Sequence, residues 1–160
     1  MSPANGPIRH TVSMQELGPL IRERLECGQT VRFSPKGSSM LPMLREGRDT
    51  VVLAPVPEEV KKYDVVLYRR DNGRYVLHRI VRVGQTYTCI GDNQYVYEPE
   101  LHRDQFFAVV TGFCRRGREH AVTEPGYRLY CRLWHLSRGL RHFLLRAIRW
   151  TGRHLRWMGH

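Results

Sequence analysis

Three segments of this 160-residue chain carry residue types that acyl-transfer chemistry needs. In the first, Gly37-Ser38-Ser39, a serine hydroxyl stands on a predicted tight bend beside backbone N–H groups that no strand uses. Free N–H groups of this kind stabilise the oxyanion that forms when a hydroxyl attacks a carbonyl. Gly-Ser-Ser is also ordinary loop composition, so this segment indicates a nucleophile only in combination with the other two.

The second segment is a predicted strand over residues 75–83 that carries His78. Val76, His78 and Ile80 share one face of this strand because side chains alternate along a strand. A histidine among apolar neighbours is more often structural than catalytic. An imidazole held on a strand nevertheless titrates near neutral pH, which suits a general base.

The third segment supplies two acids. Asp92 lies in Gly91-Asp92-Asn93, a turn sequence that follows a predicted strand, and Glu98 comes shortly afterwards. A carboxylate here could orient a histidine or cap a loop. The sequence leaves the choice between Asp92 and Glu98 open.

Five short motifs, including these segments, follow one another along residues 37–112. They are Ser39-Met40 with Pro42, Gly47-Arg48-Asp49, Tyr63-Asp64-Val65-Val66, His78-Arg79-Ile80 and Gly91-Asp92-Asn93. An apolar strand closes the stretch at residues 109–112. In this order the stretch, about half of the chain, resembles the catalytic core of the signal peptidase I superfamily, which includes the LexA-type self-cleaving repressors.

The resemblance implies a serine endopeptidase that cleaves a peptide or protein leader. By position, Ser39 matches the nucleophile, and the backbone N–H groups of Ser38 and Ser39 match the oxyanion donors. Most bacterial members use a lysine as the base, whereas archaeal and endoplasmic-reticulum signal peptidases use a histidine, and here the matching residue is His78. Asp92 matches the Gly-Asp-Asn motif and Glu98 the second acid of the histidine type, so either is the implied acidic partner.

In the implied mechanism, neutral His78 takes the Ser39 proton, returns it to the leaving amine, and water hydrolyses the acyl-enzyme. Activity should then fall below about pH 6, where an imidazole becomes protonated. Two departures from the family stand out. Gly37 occupies a position where signal peptidases often have serine, and the absence of a transmembrane anchor argues against cleavage of secretory signals outside the membrane.

Two other functions compete with this hypothesis. The chain could be a non-catalytic β module that binds a membrane or a partner through its basic tail. A repressor-like self-cleaver is disfavoured because no DNA-binding domain precedes the β segments, and one helix is too short for a helix-turn-helix module.

The elements that would position these residues form a mainly β domain. Strand patterns occur at residues 30–33, 50–54, 65–70, 75–83, 86–90 and 106–113, with Asn72-Gly73 as a hairpin turn. Because no helical pattern lies between them, we expect a compact, mostly antiparallel domain. A capping box at Ser13 and Glu16 starts an N-terminal helix that Gly28 ends. We therefore divide the chain into residues 1–29, a β domain of residues 30–124, and a tail of residues 125–160.

Positive charge is concentrated toward the C-terminus. Residues 115–160 hold 11 arginines and two glutamates, a net charge of +9 out of +11 for the chain. The tail is predicted to be a basic amphipathic helix that either lies on an anionic membrane surface or packs its apolar face on the β domain. The candidates for membrane contact are Arg132, Trp134, Arg141, Arg149 and Trp150. Nucleic-acid binding is not expected, because no recognised module accompanies the arginines.

Several classes of protein are excluded. No uncharged apolar run approaches the roughly 20 residues that cross a bilayer, and the N-terminus has no secretory-signal pattern. The sequence therefore predicts a cytoplasmic protein, peripheral on the inner face of the membrane if the tail binds lipid. The four cysteines, Cys27, Cys89, Cys114 and Cys131, form no C-x-x-C pair and are expected to stay reduced. Without a metal or phosphate-cradling motif, no metal or cofactor is expected.

Overall fold

An antiparallel sheet of eight strands forms the body of the protein, whose computed structural model describes residues 14–141, with side chains from residue 17 onward. The strands are β1 (Val31–Phe33), β2 (Asp49–Ala54), β3 (Val65–Arg69), β4 (Tyr75–Val83), β5 (Tyr87–Ile90), β6 (Glu98–Leu101), β7 (Phe106–Arg115) and β8 (Arg118–Ala121). Their order is β1-β2-β7-β3-β4-β5-β6, and β8 pairs with β7. The predicted mainly β, antiparallel class is confirmed.

The hairpin of β3 and β4 sets the register around His78. Gly73 has a φ of 82°, and Arg70 donates its N–H to the carbonyl of Arg74 across the turn. A positive φ is costly for residues with a Cβ, so the predicted Asn-Gly pair is suited to this position. The resulting register places Val66 opposite His78.

Two helices flank the sheet. The first, α1 (Met14–Glu26), ends at Gly28, which has a φ of 73° and donates its N–H to the carbonyl of Leu25. This agrees with the predicted stop, while the predicted cap Ser13 lies outside the described residues. The second, α2 (Pro125–Leu136), follows β8. Neither helix of residues 14–141 has the length and apolar character needed to cross a bilayer.

Alternation along the central strands divides the core into two clusters on opposite faces of the sheet. The first cluster, beneath α1 and the loop that carries Ser39, includes Ile21, Met40, Val65, Leu67 and Leu77. The second includes Val60, Val66, Tyr68, Ile80, Cys89 and Phe106. His78 is on the second face and Arg79 on the first, so adjacent residues of β4 enter different surroundings.

Two strands, β6 and β8, have no counterpart among the six predicted strand segments. In β6, Pro99 interrupts the pattern, and in β8 the residues are mostly charged or exposed. Both strands form because a neighbouring strand offers backbone partners: β6 pairs with β5, and β8 pairs with β7. Pairing of this kind depends on tertiary structure more than on local propensity.

Candidate functional site

The structure places Glu98 against His78. The carboxylate Oε1 atom lies 3.0 Å from His78 Nδ1, and the hydroxyl of Tyr68 lies 3.2 Å from the same nitrogen. Both contacts fall on Nδ1, and within residues 17–141 the opposite nitrogen, Nε2, makes no hydrogen bond. Glu98 reaches His78 because β5 pairs with β4 on one side and with β6 on the other.

Arg70 holds the Glu98 carboxylate in place. Its Nε atom donates to Oε2 at 2.7 Å and its Nη2 atom to Oε1 at 2.5 Å, a two-point contact. Burial tends to raise the pKa of Glu98, but hydrogen bonds from His78, Arg70 and Tyr68 outweigh it and lower the pKa to about 2. Glu98 is therefore a carboxylate at any physiological pH.

Tyr68 stays protonated in this cluster. Burial and the negative charge of Glu98 raise the pKa of the Tyr68 phenol well above its usual value. Its hydroxyl lies 3.2 Å from His78 Nδ1, and Glu98 Oε1 lies 3.0 Å from the same nitrogen, so the hydroxyl can accept from Nδ1–H or donate to a bare Nδ1. A carboxylate that binds Nδ1–H fixes the tautomer in which Nε2 is the basic nitrogen.

Asp92, the other candidate acid, pairs with Arg79 instead of His78. Arg79 Nε and Nη2 donate to the two Asp92 oxygens at 2.8 and 2.7 Å, and both side chains are buried. Burial alone would raise the pKa of Asp92, but the charge and hydrogen bonds of Arg79 hold it well below its usual value. The Nη1 atom of Arg79 donates to Tyr127 and Cys131 on α2, at 2.9 and 3.1 Å.

Helix α2 packs over this buried pair through its aromatic and polar side. Trp134 donates its indole N–H to the Asp92 carbonyl at 3.0 Å, and the Arg141 guanidinium lies 3.4 Å from the Trp134 ring centroid. Trp134 and Arg141, two of the candidates for membrane contact, are thus half-buried on the side of α2 that faces the body. The physical reason is that a buried ion pair needs polar neighbours, and α2 supplies them.

The remaining membrane candidates divide into two groups. Arg132 is exposed on α2, as that hypothesis requires. Arg149 and Trp150 lie outside the described residues.

Ser39 lies beside the turn that follows the last residue of β5, Ile90. Its carbonyl accepts a hydrogen bond from the Asn93 N–H at 2.8 Å, and the Ser38 carbonyl accepts one from the Asn93 side chain at 3.2 Å. A Cβ at position 91 would stand only 2.6 Å from the Ser39 carbonyl oxygen, so this close approach requires Gly91. The Gly-Asp-Asn turn therefore holds the loop of Ser38 and Ser39 in place through hydrogen bonds.

Two backbone donors at this loop are free. Within the described part of the chain, neither the Ser38 N–H nor the Ser39 N–H makes a hydrogen bond. Ser39 itself is partly exposed, and the neighbouring Met40 is buried in the first cluster and anchors the bend. The loop can therefore offer a hydroxyl and two donors together.

The structure does not join Ser39 to His78. Among residues 17–141 no hydrogen bond links the Ser39 hydroxyl to the imidazole. His78 is 1% exposed and lies on the second face of the sheet, whereas the Ser39 loop covers the first cluster. The two residues approach one another along the sequence of the β4–β5 pair. Arg79 is opposite Ile90 in the last pair of β4 and β5, His78 precedes Arg79, and Gly91, which touches Ser39, follows Ile90.

Among the described strands, β4 has a partner on one side only at this point, and its residues Leu77 and His78 are 8% and 1% exposed. Residues 75–78 pair with β3 on one side, and in the described chain no strand pairs with them on the other. An unpaired strand edge presents N–H and C=O groups to which an extended peptide can add.

Sequence reasoning missed Tyr68 and Arg70. The available signal was the hairpin turn at Asn72-Gly73, because its register places β3 residues beside His78. The position of Glu98 had no such signal, since β6 was not predicted. No group of three or more His, Cys, Asp or Glu side chains in residues 17–141 is arranged to hold a metal ion.

Comparison of the chain with protein-family models, with curated proteins and with solved structures gave no match.

Proposed function

We propose that the protein is a serine endopeptidase of the signal-peptidase-like type that cleaves a peptide or protein leader. The observation that carries the proposal is the pairing of His78 Nδ1 with the Glu98 carboxylate, which leaves Nε2 without a partner among the described residues. This is the arrangement that a general base requires. A solely structural histidine would more often have both nitrogens satisfied.

In the proposed reaction, the Ser39 hydroxyl attacks a peptide carbonyl and its proton moves to His78 Nε2. Glu98 holds Nδ1–H and stabilises the imidazolium. The N–H groups of Ser38 and Ser39 donate to the oxyanion of the tetrahedral intermediate. The imidazolium then protonates the leaving amine, and water releases the acyl group from Ser39 by the reverse sequence of proton transfers.

The proposal requires that the Ser39 hydroxyl reach His78 Nε2 when substrate is bound. Catalytic hydrogen bonds are often long or misaligned in free enzymes and tighten only in the complex. A substrate paired along the free edge at residues 75–78 would run beside His78, next to the turn that seats Ser39. The edge thus offers a way to bring the carbonyl between the two groups.

We further propose that this activity operates in the cytoplasm. All four cysteines are free, two of them buried, which is the pattern of a protein that keeps its thiols reduced.

Cleavage of a mixture of unstructured peptides, followed by mass spectrometry, tests the proposed function. Wild-type protein should cut a subset of the peptides, and Ser39→Ala should lower the rate at least about 1000-fold. Ser38→Ala is the matched control, because it removes the neighbouring hydroxyl but keeps the backbone donor, and its rate should stay within about threefold of wild type. Cleavage that survives Ser39→Ala, or no cleavage by the wild type, contradicts the proposal.

A further inference from the structure

Helix α2 has two chemically different sides, and its apolar side faces away from the body. The side that carries Tyr127, Cys131 and Trp134 packs on the buried Arg79–Asp92 pair. On the other side, Leu129, Leu133 and Leu136 are 57%, 55% and 84% exposed, and Leu140, just beyond the end of α2, is 63% exposed. Four leucines at more than half exposure within twelve residues form an unusually apolar surface.

These leucines form a continuous stripe, which we call the leucine stripe. Hydrogen bonds from Ser137 to Leu133 and from Arg141 to Ser137 continue the helical pattern beyond Leu136. At about 100° per residue, positions 129, 133, 136 and 140 then fall within an arc of about 60°. The exposed Arg128 and Arg132 border this arc on one side.

The stripe continues onto the body. Leu136 and Tyr97 line one cavity of about 510 Å³, and Val96 and Tyr97 are themselves exposed, at 77% and 51%. Lys62, Arg82 and Arg138 line the same cavity, and none of its lining residues is acidic. The surface is thus an apolar strip with positive charge on both the helix and the body.

Charge selects the occupant of this surface. The sequence contains no aspartate or glutamate after Glu124, and residues 125–160 carry eight arginines. A neutral apolar groove would leave the arginines without partners, and a nucleic acid would leave the leucines without partners. A surface of anionic lipid matches both, because leucines enter the boundary of the acyl chains while arginines contact the headgroups.

We propose that the leucine stripe, with Arg128 and Arg132 beside it, docks the protein on an anionic membrane surface with α2 lying in the plane of the interface. The packing of Trp134 on the body fixes which side of α2 faces the lipid. This docking does not depend on the peptidase activity proposed above.

Co-sedimentation of the full chain with vesicles tests the proposal. One vesicle set contains phosphatidylcholine alone, and the other contains about 30% phosphatidylglycerol. We expect the wild-type protein to partition at least about tenfold better to the anionic vesicles than to the neutral ones. Arg128→Gln and Arg132→Gln should each lower partitioning to the anionic vesicles about fivefold. Leu133→Gln combined with Leu136→Gln should lower partitioning to anionic vesicles at least about tenfold.

Leu20→Gln is the matched control, because Leu20 is a leucine of similar exposure, 52%, on α1. It should leave partitioning unchanged. If thermal unfolding shows that the double leucine variant is not folded, the single variant Leu136→Gln takes its place, with an expected loss of at least about threefold. Equal binding to both vesicle sets, unchanged binding by the leucine variants, or concentration-dependent dimerisation that those variants abolish would each overturn the proposal. A competition experiment with single-stranded RNA could also overturn it. The proposal would be wrong if the RNA displaced the protein from vesicles and the leucine variants bound that RNA as tightly as wild type does.

Discussion

His78 and Arg79 are neighbours on β4, yet their surroundings on the two faces of the sheet are of opposite kinds. All three side-chain nitrogens of Arg79 have partners, among them the two oxygens of Asp92. Among the residues that the structure describes, His78 has partners on one nitrogen only. A charge cluster with every donor satisfied has little left to offer a ligand, whereas a half-paired imidazole retains a basic nitrogen. The comparison teaches that two charged clusters close together in the sequence can differ in whether a side-chain nitrogen remains free to accept a proton or bind a ligand.

The largest expected effect is on stability, in the Arg79–Asp92 cluster. Asp92→Asn leaves the buried Arg79 guanidinium without a countercharge, so we expect the free energy of unfolding to fall by about 3–5 kcal/mol. Urea denaturation followed by circular dichroism measures the loss. Replacing both partners, Arg79→Met with Asp92→Leu, removes the buried charge and should recover most of the stability. A stability of Asp92→Asn within about 1 kcal/mol of wild type would show that the cluster is not structural.

Replacing the carboxylate of the His78–Glu98 cluster by its amide should lower activity more than stability. Glu98→Gln no longer fixes the Nδ1–H tautomer of His78, so we expect peptide cleavage to slow by about 100- to 1000-fold. Its cost in stability should be smaller than that of Asp92→Asn, about 1–3 kcal/mol, because the Arg70–Glu98 pair is partly exposed. Steady-state kinetics with a peptide cut by the wild type measures the first, and urea denaturation the second. Tyr68→Phe keeps the carboxylate and serves as the milder control. If Glu98→Gln loses stability rather than rate, Glu98 is a structural residue and the contrast with Asp92 disappears.

The smallest expected effect is on the acid side of the stability profile. Asp92 and Glu98 have pKa values below those of the unfolded chain, so in acid the folded state binds fewer protons than the unfolded state at the same pH. The stabilisation that they provide is complete above about pH 5 and is lost progressively toward about pH 2. Asp64 acts in the opposite direction, because burial raises its pKa.

Melting temperatures between pH 6 and 3 measure this dependence. We expect the wild-type melting temperature to fall over this range, and Glu98→Gln to flatten the fall, since the amide does not titrate in it. A wild-type melting temperature that is level down to about pH 3 would show that neither carboxylate is held as described.

Much of the fold could be predicted from local sequence. The strand patterns, the turn at Asn72-Gly73 and the stop at Gly28 all depend on residues close together in the chain, and the structure has each of them. Strand β6 could not be predicted, because Pro99 and exposed charges hide a strand that exists only through its pairing with β5.

The candidate site was predictable only in part. The order of Ser39, His78 and the acids indicated which residues to consider, but the choice between Asp92 and Glu98 needed the sheet register. The outward orientation of the leucines of α2 was equally beyond sequence patterns. Hydrophobic periodicity favours burying them, whereas the need of Arg79 and Asp92 for polar neighbours turned the aromatic and polar side of α2 inward.

The free edge of β4 at residues 75–78 has a consequence for selectivity. Strand edges bind through groups that every amino acid carries, so they distinguish chains by conformation before they distinguish them by side chain. A segment already coiled into a helix, or paired within its own sheet, has those groups occupied and must first be melted. Under the proposed function, flexible leaders and linkers would thus be cut in preference to the folded domains that they join.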